Sequence, residues 1–283
     1  MSPLAVIGGT GVMQLPGVEV IGSAHPDSPW GSPSAAVARC RSGAVELLFL
    51  QRHGGPAAIP PHRINYRANL WALRELGARE VLAINAVGGI SAGMRPGRLV
   101  IPDQLIDYTW GRKHTVDEGG DAGLMHIDFT EPYDRSLRAA LVAAAVEAGI
   151  PHTDRAVYAA TQGPRLETAA EVRRLARDGC DLVGMTGMPE AAIARELGLA
   201  YASVCMVVNP APGLSDEPLT LDAMRTTLAR EAGQVQGMLA AVIARRAAAA
   251  SYACCWAGAR EREEHALANP PHPRFQDPRT GCT

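Results

Sequence analysis

Residues 156–168 read Ala156-Val157-Tyr158-Ala159-Ala160-Thr161-Gln162-Gly163-Pro164-Arg165-Leu166-Glu167-Thr168. The apolar run Ala156 to Ala160 predicts a buried strand, and Gly163-Pro164 after it predicts a tight turn. Thr168 and Glu171 have the spacing of a capping box, so a helix is expected to begin there. A strand that enters a helix through a short turn is the building unit of an α/β sheet, and in such a sheet ligands sit at the carboxyl ends of the strands. Glu167 is therefore expected at the mouth of a cleft. A first-turn carboxylate favoured by the helix dipole alone would look the same, so other residues must decide.

Three further apolar runs end in turns suited to anions. Leu4-Ala5-Val6-Ile7 runs into Gly8-Gly9-Thr10-Gly11, Val45 to Leu50 into Arg52-His53-Gly54-Gly55, and Val81 to Ile84 into Asn85-Ala86-Val87-Gly88-Gly89. Glycine turns bare their backbone N–H groups, and Arg52 offers a planar fork of donors that matches phosphate, with His53 as a second donor or as its support. A dinucleotide fold is disfavoured because Gln14 stands where the third glycine of Gly-x-Gly-x-x-Gly belongs. From Asn65 the residues Tyr66, Leu70, Leu73 and Leu76 recur at helical spacing, and Gly77 is the stop. Tyr66 and Trp71 read as core. Helices are expected over 134–149, 168–178, 189–198 and 220 to about 246, a strand over Leu182 to Thr186, and a last long strand from Tyr201 that ends at Asn209-Pro210. Residues 22–36 read as a surface loop, and 108–125, polar and Gly-rich, as a mobile one.

The composition sets the bounds. With 283 residues, 47% hydrophobic and 20% charged, the chain can bury a sizeable core. A net charge of -2 gives no electrostatic case for nucleic acid or an acidic membrane face. The eight histidines and six cysteines show neither Cys-x-x-Cys nor His-Glu-x-x-His, so zinc is not expected. Cys40, Cys180 and Cys205 lie in or beside apolar runs, which suits reduced thiols and a cytoplasmic location. Residues 1–15 carry no secretory pattern, and Leu239 to Ala250 is interrupted by Arg245 and Arg246, so no membrane span is expected.

Taken in order, the Gly8-Gly9-Thr10-Gly11 turn, Arg52-His53-Gly54, the Asn65 to Leu73 helix, Asn85 to Gly89 and Gly163-Pro164-Arg165 resemble the trimeric nucleoside phosphorylases, most of all their methylthioadenosine and methylthioinosine branch. The likeness covers about residues 3–246. It implies one α/β domain, residues 1–246, with a central mixed β-sheet flanked by helices. It further implies a homotrimer that cleaves a purine nucleoside, with phosphate as co-substrate and no metal or organic cofactor. Residues 247–283 match nothing in the family and are expected to form a poorly ordered extension. Arg98 stands where relatives usually carry an acid, which implies a changed surface pairing.

The resemblance also implies roles. Phosphate would be held by Thr10, Arg52, His53, the Ala86 backbone N–H and Thr186. Met185 would meet the ribose, and His126 would reach a neighbouring subunit's site near the sugar. Leu166, Pro210 and Ala211 would line the substrate beside Glu167 and Asn209, with Asn209 and His53 as the catalytic pair. Glu167 and Asn209 stand where methylthioadenosine enzymes typically have Ser and Asp. A carboxylate is an acceptor and an amide both donor and acceptor, so this pair suits a 6-oxopurine, whose ring N–H adenine lacks. At the sugar's 5' side, Ala57 replaces a His, and Leu221 and Met224 match pocket positions, so an apolar wall for a methylthio group is expected. The expected reaction is phosphorolysis of methylthioinosine to hypoxanthine and methylthioribose 1-phosphate. An inosine or guanosine phosphorylase, a methylthioadenosine phosphorylase and a non-catalytic nucleoside-binding module are the alternatives.

Overall fold

The computed structural model describes residues 2–9, 15–55, 58–119, 124–216 and 218–268, with the backbone alone at 221 and 250–268. In chain order the first strands are β1 (Leu4–Gly8), β2 (Glu19–Ala24), β3 (Val37–Ser42) and β4 (Val45–Gln51), followed by helix α1 (Tyr66–Glu75). Next come β5 (Glu80–Gly89), β6 (Leu99–Val100), β7 (Gln104–Asp107), α2 (Arg135–Glu147), β8 (His152–Thr153) and β9 (Val157–Ala160). The chain closes with α3 (Ala169–Arg177), β10 (Leu182–Gly184), α4 (Gly187–Glu196), β11 (Ala200–Pro210) and α5 (Leu221–Ala268).

The continuous apolar runs are explained by burial on both faces. β4, β1, β5 and β11 lie side by side and parallel, and alternate residues of each point to opposite layers. Ala5, Ile7, Leu48 and Leu50 face a core built with Leu70 and Leu73 of α1 and Ala191 and Ile193 of α4. Leu4, Val6, Leu47 and Phe49 face a second core, built with Leu137 and Leu141 of α2 and Leu239 and Val242 of α5. A third cluster joins Val172 and Leu175 of α3 to Ala159, Val183 and Ala211.

One break in this sheet positions everything that follows. β11 pairs with β5 along its whole length, so β1 and β10 must share the other edge. β1 leaves that edge at Ala83 and β10 joins it at Gly88, antiparallel. Among the described residues, 84–87 therefore have no strand on that side, and the ends of β1, β4 and β10 surround the opening. This is a topological switch point, the place in an α/β sheet where a crevice forms.

The local signals behave as their chemistry requires. Asn65 caps α1 by accepting the Ala68 N–H, and Gly77 ends it at φ 93°. Thr168 and Glu171 form the capping box on α3, each side chain bonded to the other's backbone N–H. Three features differ from the sequence reading. β2 occupies residues otherwise assigned in part to a loop, and α5 continues to Ala268, past Arg246. Asn85 to Gly89, expected as a turn, instead continues β5 to Gly89, while the segment from residue 108 is irregular, as expected, and is anchored at Arg112, 8% exposed.

Candidate active site

At the opening, β4 delivers Arg52 into the interior, where it is 2% exposed. Nε and Nη2 donate to the two carboxylate oxygens of Glu190 at 2.7 and 2.9 Å, and Nη1 donates to the Ile84 carbonyl at 2.8 Å. That carbonyl belongs to the stretch of β5 without a strand partner on this edge, so the guanidinium fills part of the break. Glu190 is fully buried and also accepts from the Tyr201 hydroxyl at 2.9 Å. A buried charge is tolerable only when paired and hydrogen-bonded, and this pair is both. Three of the five guanidinium N–H groups are occupied among the described residues, which leaves two for an anion. Glu190 was not singled out from sequence. Its spacing in the Ala-rich helix carries no signal, since only the fold sets it opposite Arg52.

His53 does not support Arg52. Its Nδ1 lies 2.9 Å from the Ile59 carbonyl, a contact that requires Nδ1–H and leaves Nε2 a lone pair when the ring is neutral. Burial pushes the imidazole below its ordinary value, aided by the nearby Arg52 cation, while the Ile59 carbonyl acts against both. Ala86 is exposed within the unpaired stretch of β5. Thr186, 7% exposed, ends the β10 turn and donates its hydroxyl to Asn85 Oδ1 at 2.9 Å, while Asn85 donates to Ser203 at 2.5 Å. To donate to an anion the Thr186 hydroxyl must turn from Asn85. Thr10 and Ala57 lie outside the described residues.

The second half of the site lies on the β9 turn. Thr161 donates its hydroxyl to Glu167 Oε1 at 2.6 Å, which fixes one lobe of the carboxylate and, among the described residues, leaves Oε2 to accept. Glu167 lines a cleft of about 250 Å³ together with Thr161, Gln162, Gly163, Tyr108 and Trp110. Gly163 (φ 59°) is required twice over: its conformation is left-handed, and an added Cβ would lie 2.4 Å from Met185 Sδ. Met185 thus packs on the turn that carries Glu167. Asn209 donates from Nδ2 to the Pro210 carbonyl at 2.6 Å, so one N–H and the amide oxygen remain. Pro210 is half-buried, Ala211 buried, and Leu166 40% exposed.

The remaining sequence candidates lie on other segments. His126 is exposed, with the Asp117 carboxylate as its charged neighbour. Met224 packs partly against the core under α5, and for Leu221 only the backbone is described. Arg98 reaches β8, donating to Thr153 and to the His152 carbonyl at 3.0 and 2.7 Å. Among the described residues no cluster of three metal-capable side chains occurs, and no helix is long and apolar enough to cross a membrane.

The chain is similar to known proteins along most of its length. Residues 3–244 match the model of the phosphorylase superfamily. A probable S-methyl-5'-thioinosine phosphorylase of Pseudomonas syringae pv. tomato is 49% identical over 243 residues, 86% of this chain and 99% of its own. The 6-oxopurine nucleoside phosphorylase of Pyrococcus furiosus is 41% identical over 248 residues, 86% and 92% of the two chains. Among solved structures, methylthioadenosine phosphorylase from Schistosoma mansoni in complex with adenine superposes with a TM-score of 0.82 at 30% identity, covering 88% of this chain and 93% of that one.

Proposed function

The chain belongs to the phosphorylase superfamily, and from that membership we propose that it cleaves S-methyl-5'-thioinosine with phosphate, releasing hypoxanthine and 5-methylthioribose 1-phosphate. As such it is a pentosyltransferase of the purine nucleoside phosphorylase type, serving purine salvage in the cytoplasm. The observation that carries the choice of base is the Glu167 carboxylate, oriented by Thr161 and open at Oε2. It accepts the ring N–H of a 6-oxopurine, whereas adenine would present a lone pair there, a mismatch of a few kcal/mol.

The chemistry then follows from where the charges lie. Phosphate sits at the opening in the sheet, held by the two remaining Arg52 N–H groups, the Ala86 backbone, Thr186 and Thr10, with His53 Nε2 accepting a phosphate hydroxyl. Its charge stabilises the cation-like sugar as the bond to the base lengthens, and no side chain forms a covalent bond. Asn209 donates to the departing purine as negative charge develops on it. Met185, Leu166, Pro210 and Ala211 line the nucleoside, and phosphate is a co-substrate, so the residues assigned here call for no metal or organic cofactor. Leu221 and Met224, with His126, serve the sugar's 5' side across a subunit boundary in a homotrimer. The exposed Trp110, Leu124 and Met125 support such an assembly, because surface burial between copies would cover them.

The Pyrococcus relative favours a second reading, a general 6-oxopurine nucleoside phosphorylase, since an apolar 5' wall discriminates by only about 1 to 3 kcal/mol. One assay decides: methylthioinosine, inosine and methylthioadenosine compared with and without phosphate. Free hypoxanthine should appear only with phosphate, and fastest from methylthioinosine. Preference for inosine selects the second reading, preference for methylthioadenosine removes the role given to Glu167, and no phosphate-dependent release leaves a non-catalytic nucleoside binder.

A further inference from the structure

We propose that Arg112 is a positioning residue that fastens the base-reading turn to the sugar-side turn, so that the two halves of the site are held as one body. Its guanidinium donates from Nη2 to the carbonyls of Thr161 and Gln162 at 3.0 and 2.7 Å. Nη1 donates to the carbonyls of Met185 and Met188 at 2.8 and 2.6 Å, and Nε donates to Gln162 Oε1 at 3.1 Å. The first pair of carbonyls belongs to the turn that carries Glu167, and the second to the turn that carries Met185 and Thr186. The Gln162 amide oxygen also accepts the Trp110 N–H at 3.1 Å, which ties the segment bearing Arg112 to the same turn.

Two features separate this from ordinary loop packing. Among the described residues no carboxylate lies within ion-pair distance of Arg112, so a buried cation is balanced by carbonyl dipoles and by the face of Tyr66, whose centroid is 5.7 Å away. A cation in that position is costly to strand. It is retained where four carbonyls from two turns must converge, because only a planar fork of five donors reaches them together. Lysine, a point charge with three donors, cannot span both pairs. The two turns also touch directly, Gly163 against Met185, so a shift in one is transmitted to the other.

The inference rests on the proposed function for its kinetic consequence but not for its structural one, and the experiment separates them. Hydrogen exchange of Arg112→Lys is compared with wild type, together with thermal midpoint and steady-state kinetics for nucleoside and phosphate. We expect a midpoint within a few degrees of wild type and faster exchange at both 161–167 and 185–189, with α1 and β4 unchanged. We also expect kcat to fall by about a hundredfold, the scale of an ångström-sized misplacement, with a smaller change in either KM. Gln162→Leu, which removes one acceptor and keeps the cation, should loosen 185–189 as well, though residue 162 lies on the other turn, and it serves if Arg112→Lys does not fold. Loosening confined to one turn, or unchanged exchange in both, overturns the proposal. A wild type without phosphorolysis overturns the proposed function and leaves the exchange data to judge Arg112.

Discussion

Two carboxylates illustrate how one residue type takes different tasks from its surroundings. Glu190 has both oxygens committed to Arg52, one of them also to Tyr201, while Glu167 gives one oxygen to Thr161 and keeps the other. Glu167 is therefore the group whose replacement should change selectivity. Glu167→Ser with Asn209→Asp is expected to move preference from the 6-oxo to the 6-amino nucleoside, measured as a ratio of kcat/KM values, and an unmoved ratio would remove both residues from base reading. His53 makes a separate prediction about pH. Its folded value lies below the ordinary 6.5, so as pH falls the unfolded chain takes up the proton first. The associated stability is present above about pH 6.5 and is lost as pH drops through the folded value. His53→Gln should flatten the decline of the thermal midpoint as pH falls below about 6.5, and equal slopes in both proteins would exclude this imidazole as the cause. Of these residues Arg52, His53, Glu167 and Asn209 could be picked out in the sequence, because each lies at the end of an apolar run or on the Gly-Pro turn that follows one. Glu190 and Arg112 could not, since neither adjoins a strand end.

At the scale of elements, the turn after β9 is the most constrained. Gly163→Ala places a methyl group against Met185 Sδ and forces a left-handed residue to carry a side chain. We expect a loss of about 1 to 3 kcal/mol in stability, read from denaturant unfolding, and a fall in kcat/KM larger than that loss alone would produce at saturating folded protein. Wild-type kinetics would mean that Met185 moves aside freely. The helices and buried strands were legible because their periodicity and caps are local: the capping box at Thr168 formed as its spacing requires. β2 was not, because every residue from Glu19 to Ser23 is exposed and only the backbone pairing with β3 defines it. The anchoring of the segment from residue 108 was not legible for a related reason. Its polarity suits a loose loop, and the backbone carbonyls that hold Arg112 leave no trace in composition.

For the whole molecule, two expectations concern extent and assembly. Arg246 donates to Glu80 and to the Ser2 carbonyl, tying α5 back to the start of the fold. A chain ended after Ala249 should therefore fold and phosphorolyse at the wild-type rate, and light scattering should give three times its own chain mass for each length, 29.8 kDa being that of the full chain. Loss of activity on truncation would make the remainder of α5 part of the phosphorylase domain. The sequence by itself determined the α/β class, the strands buried on both faces, the helix starts, the turns that carry Arg52 and Glu167 and the strand end that carries Asn209, because hydrophobic periodicity, capping and glycine conformation act over a few residues. Only the tertiary structure decided that β1 and β10 share one edge of β5 and leave a gap between them, that Glu190 closes on Arg52, and that Arg112 joins two distant turns. Those contacts link residues 49 to 138 positions apart, where no local pattern reaches and packing alone selects the partner.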